Sequence, residues 1–290
     1  MARTATLILL ALVLISFSVS FVRGYSGEID KVAVVTGGGN GIGRAICLAF
    51  AGEGANVLVT DIDSQAANSV ADEINRSGGQ SIGVSMDVTE TSEVKDCVKK
   101  TMEEYGKIHI LVNNAGIEGH RANIWDADAR KWRQTIEVHL FGNFNCTRAF
   151  LPKILEQKWG RIITMASIQA KQASVQNSAY TVAKHALVGM TRTVAHEVAM
   201  AGYPEITVNA ICPGIVSTDL VLGPKGALAQ IASQYQMPLE QVMAMAKSKC
   251  LQNRFLETHE IAAMAVFLAS DDARGITGQA INVCGGAIFH

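Results

Sequence analysis

Proline is scarce in this chain, at 5 of 290 residues, whereas glycine is plentiful at 26. Close backbone approaches therefore weigh more than rigid loops in its construction. The six cysteines, Cys47, Cys97, Cys146, Cys212, Cys250 and Cys284, are scattered, with no CxxC pair and no clustered histidine partner. Neither a zinc site nor a disulfide framework is supported. The net charge of -1 excludes the broad basic surface of a nucleic-acid-binding protein. No internal repeat, low-complexity linker or second compositional regime divides the chain. Apolar residues are abundant instead: 49% of the chain is hydrophobic and 18% charged, which suits one large domain with a sizeable core.

The N-terminus stands apart. An uncharged, almost wholly apolar stretch runs from Arg3 to Arg23, the mark of a targeting segment rather than of a soluble fold. At roughly 18 residues it is long for a signal-peptide core and just long enough to span a bilayer. Residues 1–24 are expected to be a signal peptide or membrane anchor. The protein is then either held at a membrane or, after cleavage near Gly24, released into the secretory lumen.

From residue 28 to 290 short β-branched runs alternate with longer amphipathic stretches. The runs VAVVT (32–36), NVLVT (56–60), SIGVS (81–85), IHILVN (108–113), RIITMA (161–166), ITVNAIC (206–212) and AINV (280–283) read as buried strands, with helical patterns between them. Strands apolar on both faces and separated by helices predict a single α/β domain, a parallel sheet covered by helices on each side. Ligands of such sheets bind outside the carboxyl ends of the strands.

Those ends carry the chemistry. The first strand leads into TGGGNGIGRA (36–45), with Gly37, Gly41 and Gly43 in a GxxxGxG arrangement ahead of a helix. A flexible turn would explain isolated glycines. The strand-turn-helix setting instead fits backbone amides that meet a pyrophosphate at a positive helix N-terminus. The second strand ends in Asp61, eighteen residues after Gly43, where a carboxylate can bond an adenosine ribose and repel a 2′-phosphate. NAD is therefore expected rather than NADP. In SAYTVAKHAL (178–187) Tyr180 precedes Lys184 by four residues, so both side chains leave one helix face. Such a pair is either a phenol packed over a solvated lysine or a proton-transfer site in which an ammonium stabilises phenolate.

These residues resemble those of the short-chain dehydrogenase/reductase family, in that family's order, over residues 31–286. The shared parts are the TGxxxGIG turn, Asp61, DVT (87–89), NNAG (113–116), Ser167, the Tyr180–Lys184 YxxxK pair and a PG segment. The resemblance implies a Rossmann-type doubly wound fold with helices on both faces and an NAD-binding catalytic domain over residues 28–290. It implies that Tyr180 is the general acid/base, that Lys184 lowers the Tyr180 pKa and binds the nicotinamide ribose, and that Ser167 hydrogen-bonds the substrate oxygen. Gly37, Asn40, Gly41, Ile42 and Gly43 would hold the cofactor at the turn and Asp61 at the ribose. Asp87 and Val88 would meet the adenine, and Asn114 and Ala115 would border the adenosine ribose. Pro213, Gly214, Val216 and Thr218 would hold the nicotinamide end. No metal is implied. The helices around 137–158 and 178–202 would pack against a second copy, as a homodimer or homotetramer.

Two positions depart from the family pattern. His139, in TIEVHLFGNF (135–144), stands where an asparagine usually helps position a water of the proton relay. It is either a neutral histidine bonded to backbone in the same local kink or the sign of an altered relay, with Asn143 placed to compensate in part. Cys284, in INVCGG (281–286), replaces the usual acid and reads as a small packed residue. The resemblance implies that residues 220–252 form a long apolar helical lid. Lys225 and Arg121 read as solvated surface charges, though either is able to hold a carboxylate.

The expected activity is hydride transfer between NAD and a small secondary alcohol or ketone: a polyol, a hydroxy acid or a cyclic alcohol. The alternatives are a dinucleotide-binding protein whose catalysis has faded and a membrane-tethered interaction protein.

Overall fold

The computed structural model describes residues 31–290. Its strands are β1(Val32–Thr36), β2(Asn56–Asp61), β3(Ser81–Ser85), β4(Ile110–Asn113), β5(Gly160–Met165), β6(Ile206–Pro213) and β7(Ala280–Val283). Its helices are α1(Gly41–Gly52), α2(Ser64–Arg76), α3(Thr91–Tyr105), α4(Ala129–Ile136), α5(Gly142–Glu156), α6(Ser178–Met200), α7(Asp219–Leu222), α8(Ala227–Tyr235), α9(Leu239–Ser248) and α10(Thr258–Ala269). The strands expected from the sequence hold to within two residues at either end.

The strands form one sheet in the order β3-β2-β1-β4-β5-β6-β7, and every neighbouring pair is parallel. Side chains alternate across it. Ala33 and Val35 of β1 enter a core with Val57, Ile110 and Ile163 that α1, α2 and α10 cover. Val34 goes to the opposite core with Leu58, Leu111 and Ile162, covered by α3, α5 and α6. Both faces are thus buried, which is why each central strand is a continuous apolar run without a polar alternation. The strand order reverses between β1 and β4, and a crevice opens there at the carboxyl edge.

Local signals place the helices around that crevice. Asp128 caps α4 by accepting from the amides of Arg130 and Lys131. One π-helical turn, Glu137–Phe141, carries α4 into α5 without a break. Insertions of this kind re-aim side chains, and this one turns His139 inward, fully out of solvent.

The amino edge of the sheet is held by a different device. Arg161, at the start of β5, is entirely buried. It donates to the carbonyls of Gly160 at 2.9 Å, Glu205 at 2.8 Å and Ser270 at 3.3 Å. Its guanidinium stacks 4.2 Å from the Trp159 ring centroid, and Lys31 lies over the same ring at 4.3 Å. A single cation thus closes the orphan carbonyls where three chain segments meet.

The expected location at a membrane or in the secretory lumen is corrected here. Among the described residues no helix is long and apolar enough to cross a membrane. The apolar stretch that raised the expectation, and the division at residues 1–24, lie outside the described residues.

Arg161→Ala leaves three buried carbonyls without their charged donor, at the edge opposite the crevice. The variant is expected to lose about 3 kcal/mol of stability, a fall in melting temperature of roughly 6–12 °C, with dinucleotide affinity unchanged. Thermal unfolding and a binding titration on the same sample check both halves.

Candidate active site

The crevice encloses a cavity of about 990 Å³. Gly37, Asn40, Gly41 and Ile42 line it from the first turn, Asp61 from the end of β2, and Asp87 and Val88 from the segment after β3. Asn114 and Ala115 come from beyond β4, His139 from the π turn, Ser167 from beyond β5, and Tyr180 and Lys184 from α6. Pro213, Gly214, Val216 and Thr218 close it beyond β6. Of the residues expected from the sequence, only Gly43 does not face the cavity.

Gly43 works from behind. A Cβ there would collide with the carbonyl oxygen of Gly37, and one at Gly37 would lie 2.8 Å from the Ala115 Cα. Gly37 and Gly41 also take positive φ, +62° and +53°, which L side chains rarely adopt. The Asn114 amide fastens the turn from the other side, donating to the carbonyls of Thr36 and Gly37 at 3.0 Å each. No side chain caps the first amides of α1, so they face the cavity with the positive end of the helix behind them. Asp61 is fixed by the Gly39 amide at 3.0 Å and the Asp63 amide at 3.1 Å. A bare glycine cradle at a helix N-terminus, followed by a carboxylate one strand away, fits a dinucleotide with its pyrophosphate on the turn and its ribose at Asp61.

At the other end the catalytic candidates converge. Ser167 is buried and caps a short 3₁₀ turn, Ile168–Ala170, by accepting from the Gln169 amide at 3.1 Å. Lys184 is buried and donates to the Met165 carbonyl at 2.7 Å, with its Nζ 5.3 Å from the Tyr180 ring centroid. The His139 ring meets the Tyr180 ring edge-on, 5.1 Å between centroids at 83°. Its Nε2 lies 2.8 Å from the Ile117 carbonyl oxygen, while its buried Nδ1 has no partner among the described residues. Gly116 is what admits the imidazole: a Cβ there would stand 2.6 Å from His139 Cε1.

Burial governs the protonation of all three. It pushes the Tyr180 phenol up to about 12, against a smaller opposing effect of Ser167. It pushes Lys184 down to about 7. It pushes His139 down to about 3, with the charge of Lys184 adding to the effect, so the imidazole is neutral at physiological pH. Tyr180 and Lys184 sit in the same dry site, and desolvation drives each toward its neutral form. Asn143 is spent elsewhere: its side chain accepts from Thr147 at 3.4 Å, and Thr147 accepts from Asn113 at 3.0 Å.

Several residues escaped the sequence reading. Gly116 and Ile117 line the cavity next to the two residues of NNAG that were assigned, and position in that motif was signal enough. Asn177 is buried against the start of α6 with its Oδ1 unpartnered. Arg121 is not the solvated charge expected: its side chain is only 12% exposed and pairs with Glu118 at 3.1 Å. Nothing in the local sequence marks that burial.

The Lys184 shift carries a stability consequence. An exposed lysine has a pKa of about 10.4, so between pH 7 and 8.5 the unfolded chain holds a proton at this position that the folded chain releases. Stability from this group therefore rises with pH across that window. Wild type is expected to gain about 1.5 kcal/mol relative to Lys184→Met from pH 7 to 8.5. Urea unfolding of both proteins at the two pH values measures the difference, and parallel pH profiles would contradict it.

Comparison with known proteins agrees with this architecture. The family model described as short chain dehydrogenase matches residues 31–224. The chain is 39% identical to the D-beta-hydroxybutyrate dehydrogenase of Cupriavidus necator, over 88% of this chain and 97% of that one. It is 36% identical to a 3-oxoacyl-[acyl-carrier-protein] reductase of Staphylococcus epidermidis, over 89% of this chain and 99% of that one. Among solved structures, an actinorhodin polyketide ketoreductase variant with NADPH superposes at a TM-score of 0.84 and 31% identity, covering 90% of this chain and 98% of the other. Fold, site geometry and these matches concur, and the chain belongs to the short-chain dehydrogenase/reductase family of oxidoreductases.

Proposed function

We propose that residues 28–290 form one catalytic domain that transfers hydride between NAD and a small secondary alcohol or ketone. The observation that carries this reading is the convergence of Ser167, Tyr180 and Lys184 on the same cavity as the glycine cradle and Asp61. A secondary alcohol/ketone pair is also what the names of the matched dehydrogenase and reductase denote.

The bound nicotinamide supplies the two-electron acceptor or donor. The chain supplies the rest. Tyr180 exchanges the proton of the substrate oxygen at its Oη, and Ser167 holds that oxygen as charge develops on it. With a pKa of about 12 the phenol keeps its proton at neutral pH, so it stands ready as a donor to a ketone oxygen. Lys184, anchored on the Met165 carbonyl, is placed to bind the nicotinamide ribose. His139 acts as a neutral positioning residue, its ring braced on Ile117 and set against Tyr180.

The choice of NAD rests on Asp61. The solved relative carries NADPH. In this chain the cavity takes Gly37, Asn40, Gly41, Ile42, Asp61 and Ile62 from the first two strand ends, and none is a cation. A 2′-phosphate at that wall would face a carboxylate, whereas the two arginines that line the cavity, Arg130 and Arg133, come from α4. A homodimer or homotetramer accords with the exposed Phe141, Phe144 and Val182 along the π turn, α5 and α6.

Two variants test this reading within a panel of secondary alcohols and ketones assayed with each dinucleotide. Tyr180→Phe keeps the ring and loses the transferable proton, so turnover should fall by roughly 10²- to 10⁴-fold with dinucleotide affinity little changed. A variant that retains more than about a tenth of the activity removes Tyr180 from the role. Asp61→Ser should weaken NAD and strengthen NADP relative to it, because one carboxylate acts in both directions. An unchanged preference places the ribose elsewhere.

A further inference from the structure

The loop after β4 lies directly on the catalytic tyrosine. A Cβ added to Gly119 would stand 3.3 Å from the Tyr180 Cβ and 3.1 Å from Asn177 Oδ1. Glu118 and Arg121 flank that contact and pair with each other, Nε to Oε1 at 3.1 Å, with side chains only 15% and 12% exposed. The pair uses a single donor of the guanidinium. Among the described residues no acceptor meets its two terminal nitrogens, which leaves four N–H groups in a planar fork.

Arg121 also lines an open surface depression of about 610 Å³ together with residues of the lid, Pro224, Lys225, Gln230 and Ser233 among them. The catalytic cavity takes Leu220 and Val221 from the same stretch of lid that supplies Pro224 and Lys225 to this depression. Lys225 has no carboxylate partner among the described residues. One half-buried arginine therefore sits two residues from the glycine that lies on Tyr180, and it lines the same depression as a second cation. Glu118 sets the orientation. By holding Nε it points the terminal nitrogens away from itself, the side of a guanidinium that grips a carboxylate with two parallel bonds. Burial pushes the Glu118 carboxyl up, and the charges of Glu118 and Arg121 both reach Tyr180, in opposite senses.

We infer that Arg121, together with Lys225, is the subsite for a carboxylate carried by the substrate. The molecule turned over is then a hydroxy acid or keto acid, its anionic end at the lid and its reacting oxygen at Tyr180. This rests on the reading of the site as an alcohol dehydrogenase or ketone reductase, and it selects the hydroxy acid from the polyol, hydroxy acid and cyclic alcohol that the sequence leaves open.

The test pairs each acid with its neutral twin: 2-hydroxybutyrate, 3-hydroxybutyrate and 4-hydroxypentanoate, each beside its methyl ester, assayed with NAD on the full chain. Wild type should prefer at least one acid to its ester by roughly 10- to 100-fold in kcat/KM, chiefly through KM. Arg121→Gln should collapse that preference, and Lys225→Gln should reduce it less. Dinucleotide affinity and melting temperature of each variant establish that it is folded. The subsite is refuted if wild type uses ester as well as acid, if Arg121→Gln keeps the preference, or if that variant loses acid and ester in equal proportion. Calorimetric titration of the same acids into the chain with NAD separates the two readings. Binding that Arg121→Gln abolishes, without turnover, would overturn the dehydrogenase reading and sustain the subsite. Neither binding nor turnover would overturn the subsite itself.

Discussion

Two hydrogen bonds from one amide hold the site open. The Asn114 side chain reaches from the end of β4 to the carbonyls of Thr36 and Gly37, across the place where the strand order reverses. Beside it the Thr36 hydroxyl accepts from the backbone amides of Asn114 and Ala115 at 2.9 and 3.0 Å, so the turn after β1 is held at a fixed distance from the chain after β4 and the cavity walls they supply stay together. The tie is short because the backbones nearly touch: neither Gly37 nor Gly43 has room for a methyl group. Glycine here is less a source of mobility than a spacer of zero thickness. The same logic recurs at Gly116, where the missing side chain is replaced by the His139 ring.

Desolvation, more than charge pairing, sets the proton chemistry. Tyr180, Lys184 and His139 are packed together with few polar partners, and each moves toward its neutral form. A neutral phenol, a marginal ammonium and a neutral imidazole form a site whose charge is low before a ligand enters. An arriving dinucleotide and substrate therefore meet groups whose protonation their own charges can still move, since a small change in local field crosses a pKa that already lies near 7.

Much of this was legible in the sequence, for identifiable reasons. Fully buried parallel strands have no solvent face to interrupt them, so VAVVT and ITVNAIC announce themselves, and the strand bounds follow to within two residues. The dinucleotide-facing residues sit in short motifs at strand ends, where the chain reverses, and Tyr180 and Lys184 share one motif on α6. What could not be read depends on packing between distant segments. Arg121 looks like any surface cation until Gly119 is laid on Tyr180 and the lid is folded over it. The opposed shifts of Tyr180 and Lys184 follow from the dryness of the pocket, a property of the whole fold that a four-residue spacing does not encode. Nor does EVHLF differ in composition from an ordinary helical turn, although Glu137–Phe141 is wound as a π turn.

That turn makes the reading frame of one helical rod a functional variable. A π turn carries about one residue more than an α turn, so excising a single amino acid between 137 and 141 would let α4 and α5 merge into a continuous α-helix. Because the π turn spends its extra residue within a single turn, α4 and α5 would keep their relative phase, and only the side chains of the turn itself would be re-aimed. The Trp132 indole, which donates to Ser178 at 3.1 Å, would stay in place with the hydrophobic face of α5, while the imidazole at 139 would lose the turn that sets it against the tyrosine. A single residue more or less in that turn thus separates a helical rod that presents an imidazole to the tyrosine from one that does not, a matter of counting residues rather than of choosing them.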